Sequence, residues 1–209
     1  MLNAIQALDQ LREGNLRFIS NQAEDRFLST SQRAELVSGQ EPFAIILGCS
    51  DSRVPAELVF DQGFGDLFVI RVAGNIVAPS QVGSVEFAAS KFGTRLVVVM
   101  GHSQCGAILA TLDELQGRAT SQSANLRSIV NRIRPSVETL LAGQRGVDPD
   151  SLAHEAVRAN VRASTDHLRH GSALLEELSL KDGLLVVGAE YSLETGVVDF
   201  FEGSPARGY

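Results

Sequence analysis

Two short stretches of the sequence carry residues that could do chemistry, and each contains one of the chain's two cysteines. The first, "LGCSDSRVP" at residues 47–55, places Cys49, Asp51 and Arg53 at alternate positions directly after an apolar run. Alternate side chains of an extended backbone point to the same side, so a thiol, a carboxylate and a guanidinium are expected in one small volume. The second, "VMGHSQCGAI" at residues 99–108, places His102 and Cys105 after another apolar run.

Cys49, His102 and Cys105 together form a set of candidate metal ligands. Two thiolates and an imidazole suit Zn²⁺, and three protein ligands with one open position are the catalytic arrangement. With two cysteines and no secretory signal, a structural disulfide is a poor first interpretation. The sequence therefore predicts one zinc ion per chain, with Asp51 either as a fourth ligand or as a neighbouring base paired with Arg53.

The elements that must position these residues alternate between strands and helices. Short continuous apolar runs at residues 43–47, 66–73, 95–100 and 184–191 are typical of parallel strands buried on both faces. A last segment at 196–202 is expected to pair with the strand before it across a turn. Helical patterns cover 2–20, 30–38, 80–92, 106–116, 124–142 and one long stretch from 149 to 179. This order predicts an α/β fold built on a mainly parallel, doubly wound sheet flanked by helices.

Both cysteine-bearing stretches begin where a predicted strand ends. In an open parallel sheet, ligands bind in the crevice at the carboxyl ends of the strands, where the strand order reverses. Cys49 follows the first predicted strand and His102 the third, so the topology is able to bring them together although they are far apart in sequence.

Two other interpretations of the same residues stay open at the level of sequence. Gly101-His102-Ser103-Gln104-Cys105 nearly matches the G-x-S-x-G turn of serine hydrolases, which would make Ser103 a nucleophile, but Cys105 stands where that turn needs glycine. Alternatively, Asp51 as a permanent fourth ligand would close the zinc site and make it structural or sensing rather than catalytic.

The two motifs, Cys49-x-Asp51-x-Arg53 followed by His102-x-x-Cys105, resemble those of the β-class carbonic anhydrases. "GQEPFAIILGCSDSRVPAE" and "GDLFVIRVAGN" also read like segments of that family, and the resemblance covers most of residues 1–202. It implies one catalytic domain over 1–209, with an N-terminal helical arm at 1–38 and an α/β core at 39–202. It also implies a zinc lyase that reversibly hydrates carbon dioxide to bicarbonate and a proton by attack of zinc-bound hydroxide.

The resemblance assigns roles that agree with the chemistry of the residues. Two thiolates neutralise the ion and weaken its effect on bound water, so an acceptor for the hydroxyl hydrogen becomes useful. Asp51 is expected to be that acceptor, kept ionised by Arg53. Carbon disulfide or carbonyl sulfide stays open as an alternative substrate. The resemblance further implies five substrate-binding residues: Gln40, Phe68, Ala73, Phe87 and Gly106, with Phe87 contributed by a neighbouring subunit.

Composition bears on partners and location. The formal charge of −7 leaves no basic footprint for nucleic acid, and charges within the first helical pattern interrupt any signal or membrane-spanning segment. We therefore expect a cytoplasmic protein with no nucleic-acid or membrane partner. A shared Phe87 implies a homodimer or homotetramer, in which the helix at 2–20 lies either across a neighbour or on its own core.

The chain lacks a feature by which some members of the family regulate the site. Those members hold bicarbonate with a tryptophan, an arginine and a tyrosine, which stabilises the state with the aspartate on zinc. Arg71 matches that arginine, but the chain contains no tryptophan and Ile46 occupies its position. We therefore predict an open site near neutral pH, with Asp51 bound to Arg53.

Overall fold

The protein is described by a computed structural model that covers residues 2–23, 30–120, 123–143 and 148–205. Within these residues five strands form one sheet in the order β2-β1-β3-β4-β5. The strands are β1 Ala44–Gly48, β2 Leu67–Arg71, β3 Leu96–His102, β4 Leu185–Tyr191 and β5 Val198–Glu202. The first four pair in parallel and β5 runs antiparallel to β4, which confirms the predicted α/β class.

Helices cover both faces of the sheet. They are α1 Ala4–Ile19, α2 Thr30–Leu36, α3 Ala56–Val59, α4 Pro79–Lys91, α5 Gly106–Leu115, α6 Ala124–Gly143, α7 Pro149–His170 and α8 Ala173–Lys181. One core lies between the sheet and α1 with α3, and a second lies between the sheet and α4, α7 and α8. A third packs α5, α6 and α7 around Cys49 and Cys105. Every residue of β1 and β3 is buried, which explains their continuous apolar runs.

The long helix predicted over 149–179 is wrong, because the chain makes two helices there. α7 ends at His170, and the N–H of Gly171 bonds back to the carbonyl of His167. Ser172 then caps α8 by accepting a hydrogen bond from the N–H of Leu175 at 3.2 Å. A glycine followed by an N-cap serine is a local stop-and-start signal, and here it prevails over the apolar periodicity.

Helix α1 packs on the sheet of its own chain. Its residues Leu8 and Leu11 are fully buried there. The side chain of Asn15 donates to the carbonyls of Val59 and Gly196 at 3.1 and 2.8 Å. A Cβ at Gly14 would lie 1.8 Å from a carbonyl oxygen of the α3 segment, so this helix approaches α3 as closely as glycine allows.

The strand order places the crevice where the sequence predicts it. β1 lies between β2 and β3, so the direction of winding reverses at β1, and a crevice opens at the carboxyl ends of β1 and β3. Gly48 pairs with Met100, which sets the residues that follow these strands side by side. None of the helices in the described ranges has the length and apolar character needed to cross a membrane.

Candidate metal centre

Three buried side chains converge in this crevice. Cys49 follows β1, His102 is the last residue of β3, and Cys105 is the N-cap of α5. One ligand atom from each lies within 4.8 Å of the other two. The three predicted ligands are thus brought together by three elements. Cys49 comes next to His102 because β1 and β3 pair in the sheet, and Cys105 follows His102 in the chain.

The imidazole of His102 is held in the form that can bind a metal. Its Nδ1 lies 2.8 Å from the carbonyl oxygen of Ser103 and can only donate to it, which leaves the lone pair on Nε2. That Nε2 is buried and has no hydrogen-bond partner among the described residues. A buried nitrogen without a partner that shares its site with two sulfurs fits a metal ligand, so the residues present suit Zn²⁺.

The pKa values of the two thiols are shifted in opposite directions. The pKa of Cys49 is lowered chiefly by a hydrogen bond from the Cys105 thiol, with smaller contributions from His102 and the Gly74 N–H. The pKa of Cys105 is raised by that same bond and by burial. One sulfur is therefore poised as a thiolate, and a divalent cation at the site would displace the remaining proton.

A short 3-10 turn at Ala73–Asn75, absent from the sequence prediction, supports Cys49. The N–H of Gly74 points at the Cys49 sulfur at 3.4 Å. Gly74 has φ 68°, and a Cβ there would lie 2.9 Å from the Cδ1 of Ile133. Glycine is the residue that tolerates both this left-handed backbone and this close packing. The glycine in "AGN" is therefore the local sequence signal that indicates the turn.

Asp51 and Arg53 form the predicted pair. Arg53 donates from Nε to Oδ1 at 2.9 Å and from Nη2 to Oδ2 at 2.7 Å, and its backbone N–H donates to Oδ1 at 3.0 Å. This pairing holds the pKa of the Asp51 carboxyl well below its usual range. Oδ2 lies 3.9 Å from Nε2 of His102, at the rim of the ligand group.

Asp51 as a fourth metal ligand stays a prediction. The group of side chains able to hold an ion jointly, among the described residues, comprises the two cysteines and the histidine without Asp51. Both carboxylate oxygens accept hydrogen bonds from Arg53, which is the Asp51–Arg53 pairing that the sequence analysis predicts for an open site.

Arg71 has a role here that the sequence did not reveal. Its Nε donates to the carbonyl of Cys49 at 2.9 Å and its Nη2 to the carbonyl of Asp51 at 2.5 Å. The sequence analysis noted Arg71 only as a counterpart of a bicarbonate-binding arginine. In the structure it fixes the backbone that carries both a metal ligand and the carboxylate.

Two of the five predicted substrate residues are sequence neighbours of residues at the metal centre: Gly106 follows Cys105, and Ala73 precedes Gly74, whose N–H points at the Cys49 sulfur. Ala73 and Gly106 line a cavity of about 380 Å³ whose wall is mostly apolar, with Ala107, Leu126 and Ile129 among the other residues. A cavity of this kind suits a small apolar molecule. A larger cavity of about 660 Å³ lies between α4, α6 and α7, and neither cavity is lined by Cys49, His102 or Cys105.

The other three, Gln40, Phe68 and Phe87, do not reach the metal centre of their own chain. Gln40 is exposed and precedes β1, whereas Cys49 follows it, so the strand separates the two residues. Phe68 pairs in register with Ile45, roughly 13 Å along the strand from Cys49 at about 3.3 Å per residue. Phe87 packs instead against Phe68, with ring centroids 6.2 Å apart.

Ser103 is not placed as a hydrolytic nucleophile. Its hydroxyl donates to the carboxylate of Glu194 at 2.8 Å and accepts from the N–H of Leu193 at 2.9 Å. A serine nucleophile needs a general base to take its proton, and a carboxylate with a lowered pKa is a poor one. The hydrolase interpretation is therefore wrong.

Comparison with known proteins gives a consistent result. A sequence profile described as "Carbonic anhydrase" matches residues 44–198. The chain is 38% identical over 194 residues to "Carbonic anhydrase 2" of Mycobacterium tuberculosis strain H37Rv, covering 93% of this chain and 91% of that protein. The β-carbonic anhydrase CafA of Aspergillus fumigatus superposes with a TM-score of 0.75 at 24% identity, over 96% of this chain and 91% of that one. A structure from a study of two tetrameric β-carbonic anhydrases of Sordaria macrospora superposes with a TM-score of 0.73 at 23% identity, over 80% and 84% of the chains.

Proposed function

Because this chain belongs to the β-carbonic anhydrase family and catalyses the reversible hydration of carbon dioxide to bicarbonate, we propose that Cys49, His102 and Cys105 hold its zinc ion. The observation that carries this assignment is the buried, unpartnered Nε2 of His102, grouped with both cysteine sulfurs. Zinc bound there lowers the pKa of a water molecule, so that hydroxide is available at neutral pH.

Asp51 would be the hydrogen-bond acceptor beside the metal. Its ionised carboxylate lies at the rim of the ligand group, where Oδ2 would accept a hydrogen bond from a group bound there and orient that group toward carbon dioxide. Arg53 is the positioning residue, because its two side-chain hydrogen bonds keep the carboxylate ionised and away from the metal position.

The cavity lined by Ala73 and Gly106 holds the substrate in this proposal. Its apolar wall, with Ala73 at one side, accommodates carbon dioxide, which has no net dipole and gains little from polar partners. Gly106 begins α5, so its backbone N–H lies at a helix N-terminus and can donate to an oxygen of the bicarbonate product.

The test is a stopped-flow assay of carbon dioxide hydration on protein whose zinc content has been measured. We expect about one zinc per chain and turnover in the wild type, and loss of both in His102→Ala. Zinc at one per chain without turnover would instead indicate a closed structural or sensing site. Running the assay with carbon disulfide and carbonyl sulfide shows whether the site also accepts these substrates.

A second copy of the chain completes the site in this proposal. Phe87 is 53% exposed, unusual for a phenylalanine, and it forms an aromatic cluster with Phe68 and Phe92 near the edge strand β2. Gln40 is exposed as well. These residues are free to line a neighbour's cavity in a homodimer or homotetramer, and light scattering at micromolar concentration should give at least twice the monomer mass. A monomeric mass would refute this proposal.

We propose one catalytic domain over residues 1–209, with the α/β core at 39–202 and an N-terminal helical segment at 1–38, acting in the cytoplasm. The hydrogen bonds of Asn15 to Val59 and Gly196 join that segment to the core. Both cysteines are free thiols, which a reducing compartment maintains. Cell fractionation of the native protein tests the location, and limited proteolysis tests the single domain.

A further inference from the structure

The turn between β4 and β5, residues 192–197, lies against the metal centre without supplying a ligand. The loop at residues 102–105, called the metal loop below, carries His102 and Cys105 at its ends. Gln104 within it has φ 56°, which is the left-handed region of the backbone. The hydrogen bonds of a regular helix or strand do not stabilise this conformation. Something outside the loop must therefore fix its shape.

Ser103 ties the metal loop to β4 and the turn that follows through three hydrogen bonds. Its N–H donates to the carbonyl of Tyr191 at 2.9 Å. Its hydroxyl donates to Oε2 of Glu194 at 2.8 Å and accepts from the N–H of Leu193 at 2.9 Å. The serine that resembles a hydrolytic nucleophile is thus held on both sides of its hydroxyl.

Ser103 is also the residue that orients the metal-binding imidazole. Its carbonyl accepts a hydrogen bond from the Nδ1–H of His102 at 2.8 Å, which sets the tautomer and the plane of the ring. A shift of this carbonyl would rotate the ring and move Nε2 out of the position it shares with the two sulfurs. The orientation of Nε2 therefore depends on how firmly the turn holds Ser103.

We propose that Glu194 is a positioning residue for the metal centre, acting through Ser103 to fix the carbonyl that orients His102. The proposal rests on the zinc assignment made above. Glu194 is itself placed by its neighbour, since the hydroxyl of Ser192 donates to the same oxygen at 3.1 Å. A hydrogen bond from a hydroxyl to a carboxylate is stronger than a neutral one, which explains why an acidic residue serves here.

The expected effect is on how long the metal stays bound. Partners that orient a metal-bound histidine change metal affinity or activity by about 10–100-fold when removed. Glu194 acts one residue further out and is exposed to solvent, so we expect the lower end of that range. Ser103→Ala and Glu194→Ala should each release zinc to an excess of chelator about ten-fold faster than the wild type.

Two matched variants separate this role from general support of the turn. Ser103→Thr keeps the hydroxyl and should retain zinc nearly as the wild type does. Thr195→Ala lies in the same turn but removes a hydroxyl that accepts from the N–H of Val197 at 3.3 Å and not from Ser103, so zinc release should be unchanged. The Co²⁺-substituted proteins provide a second readout, because the visible absorption of Co²⁺ reports its ligand geometry and should change in Ser103→Ala and Glu194→Ala alone.

The double variant Ser103→Ala/Glu194→Ala tests whether the two residues act through one hydrogen bond. If they do, it should release zinc no faster than the more affected single variant, since residues in one network are not additive. Wild-type zinc release and Co²⁺ spectra in Glu194→Ala would overturn the proposal, and so would equal effects in Thr195→Ala. A wild-type protein that binds no zinc would instead overturn the metal assignment, so the two failures are distinguishable.

Discussion

Asp51→Asn should abolish most of the hydration activity and leave the zinc in place. The wild-type carboxylate accepts from Arg53 at both oxygens, with Oδ2 facing the ligand group. An amide has one acceptor oxygen, so if that oxygen stays on Arg53, an NH₂ group that cannot accept the hydroxyl hydrogen faces the metal. We expect kcat/KM to fall by roughly 10²–10³, equivalent to about 2.7–4 kcal/mol of transition-state stabilisation.

Arg53→Ala should have a smaller effect on the same step. It removes the Nε and Nη2 hydrogen bonds but keeps the backbone N–H on Oδ1 at 3.0 Å. Residues that orient another group change activity by about 10–100-fold when removed. We expect a loss of roughly ten-fold in kcat/KM, at the lower end of that range, because the Arg53 side chain is about half exposed. Arg53→Lys should recover little, since an ammonium group cannot reproduce the bidentate contact.

The same pair predicts a pH dependence of stability. Because Arg53 depresses the pKa of Asp51 in the folded state, the pair stabilises the fold above the unfolded pKa of about 3.9. That contribution is lost as pH falls through the folded value. The difference in stability between wild type and Arg53→Ala should be constant above about pH 5 and shrink below about pH 4.

The assay is stopped-flow hydration on protein matched for zinc content, with melting temperature measured from pH 3 to pH 8. Asp113→Asn is the control, because Asp113 also pairs with an arginine, Arg118 at 2.8 Å, on the surface away from the ligand triad. The control should keep wild-type kinetics. If Asp51→Asn retains zinc and wild-type kcat/KM, the reasoning that makes Asp51 the hydroxyl acceptor is refuted.

Three further predictions concern the metal and the packing around it. Cys49→Ser and Cys105→Ser should each lose most of their zinc, measured by elemental analysis after dialysis; full retention in the double variant would contradict the ligand assignment. Gly74→Ala should lower the free energy of unfolding by about 1–2 kcal/mol for its φ of 68° alone, and it should also weaken zinc retention. Gly83→Ala is the control: a Cβ there meets no atom within 4 Å, so this variant should not destabilise the protein. Leu8→Ala should cost about 2–5 kcal/mol in urea unfolding because Leu8 is fully buried beneath α1, and a loss under 1 kcal/mol would contradict that packing.

The strands and the crevice were predictable because their signals are local. β1 and β3 are buried on both faces, so each reads as a continuous apolar run whose end is visible in the sequence. A parallel sheet aligns the carboxyl ends of its strands, so residues that follow two such runs must share an edge. The break between α7 and α8 was missed although its signal, Gly171 before Ser172, is local, because the periodicity on either side is strong.

The sequence by itself determined the chemistry of the site: a thiolate–imidazole–thiolate set from Cys49, His102 and Cys105, and a carboxylate two residues from a guanidinium. These are properties of residue type and short spacing, which the chain carries before it folds. Two facts emerged from the folded chain alone: Glu194 reaches the metal loop, and Gln40 and Phe68 lie away from their own centre. Those facts depend on contacts between segments up to about ninety residues apart. Such contacts are set by sheet register and packing, for which a single stretch of sequence has no local signal.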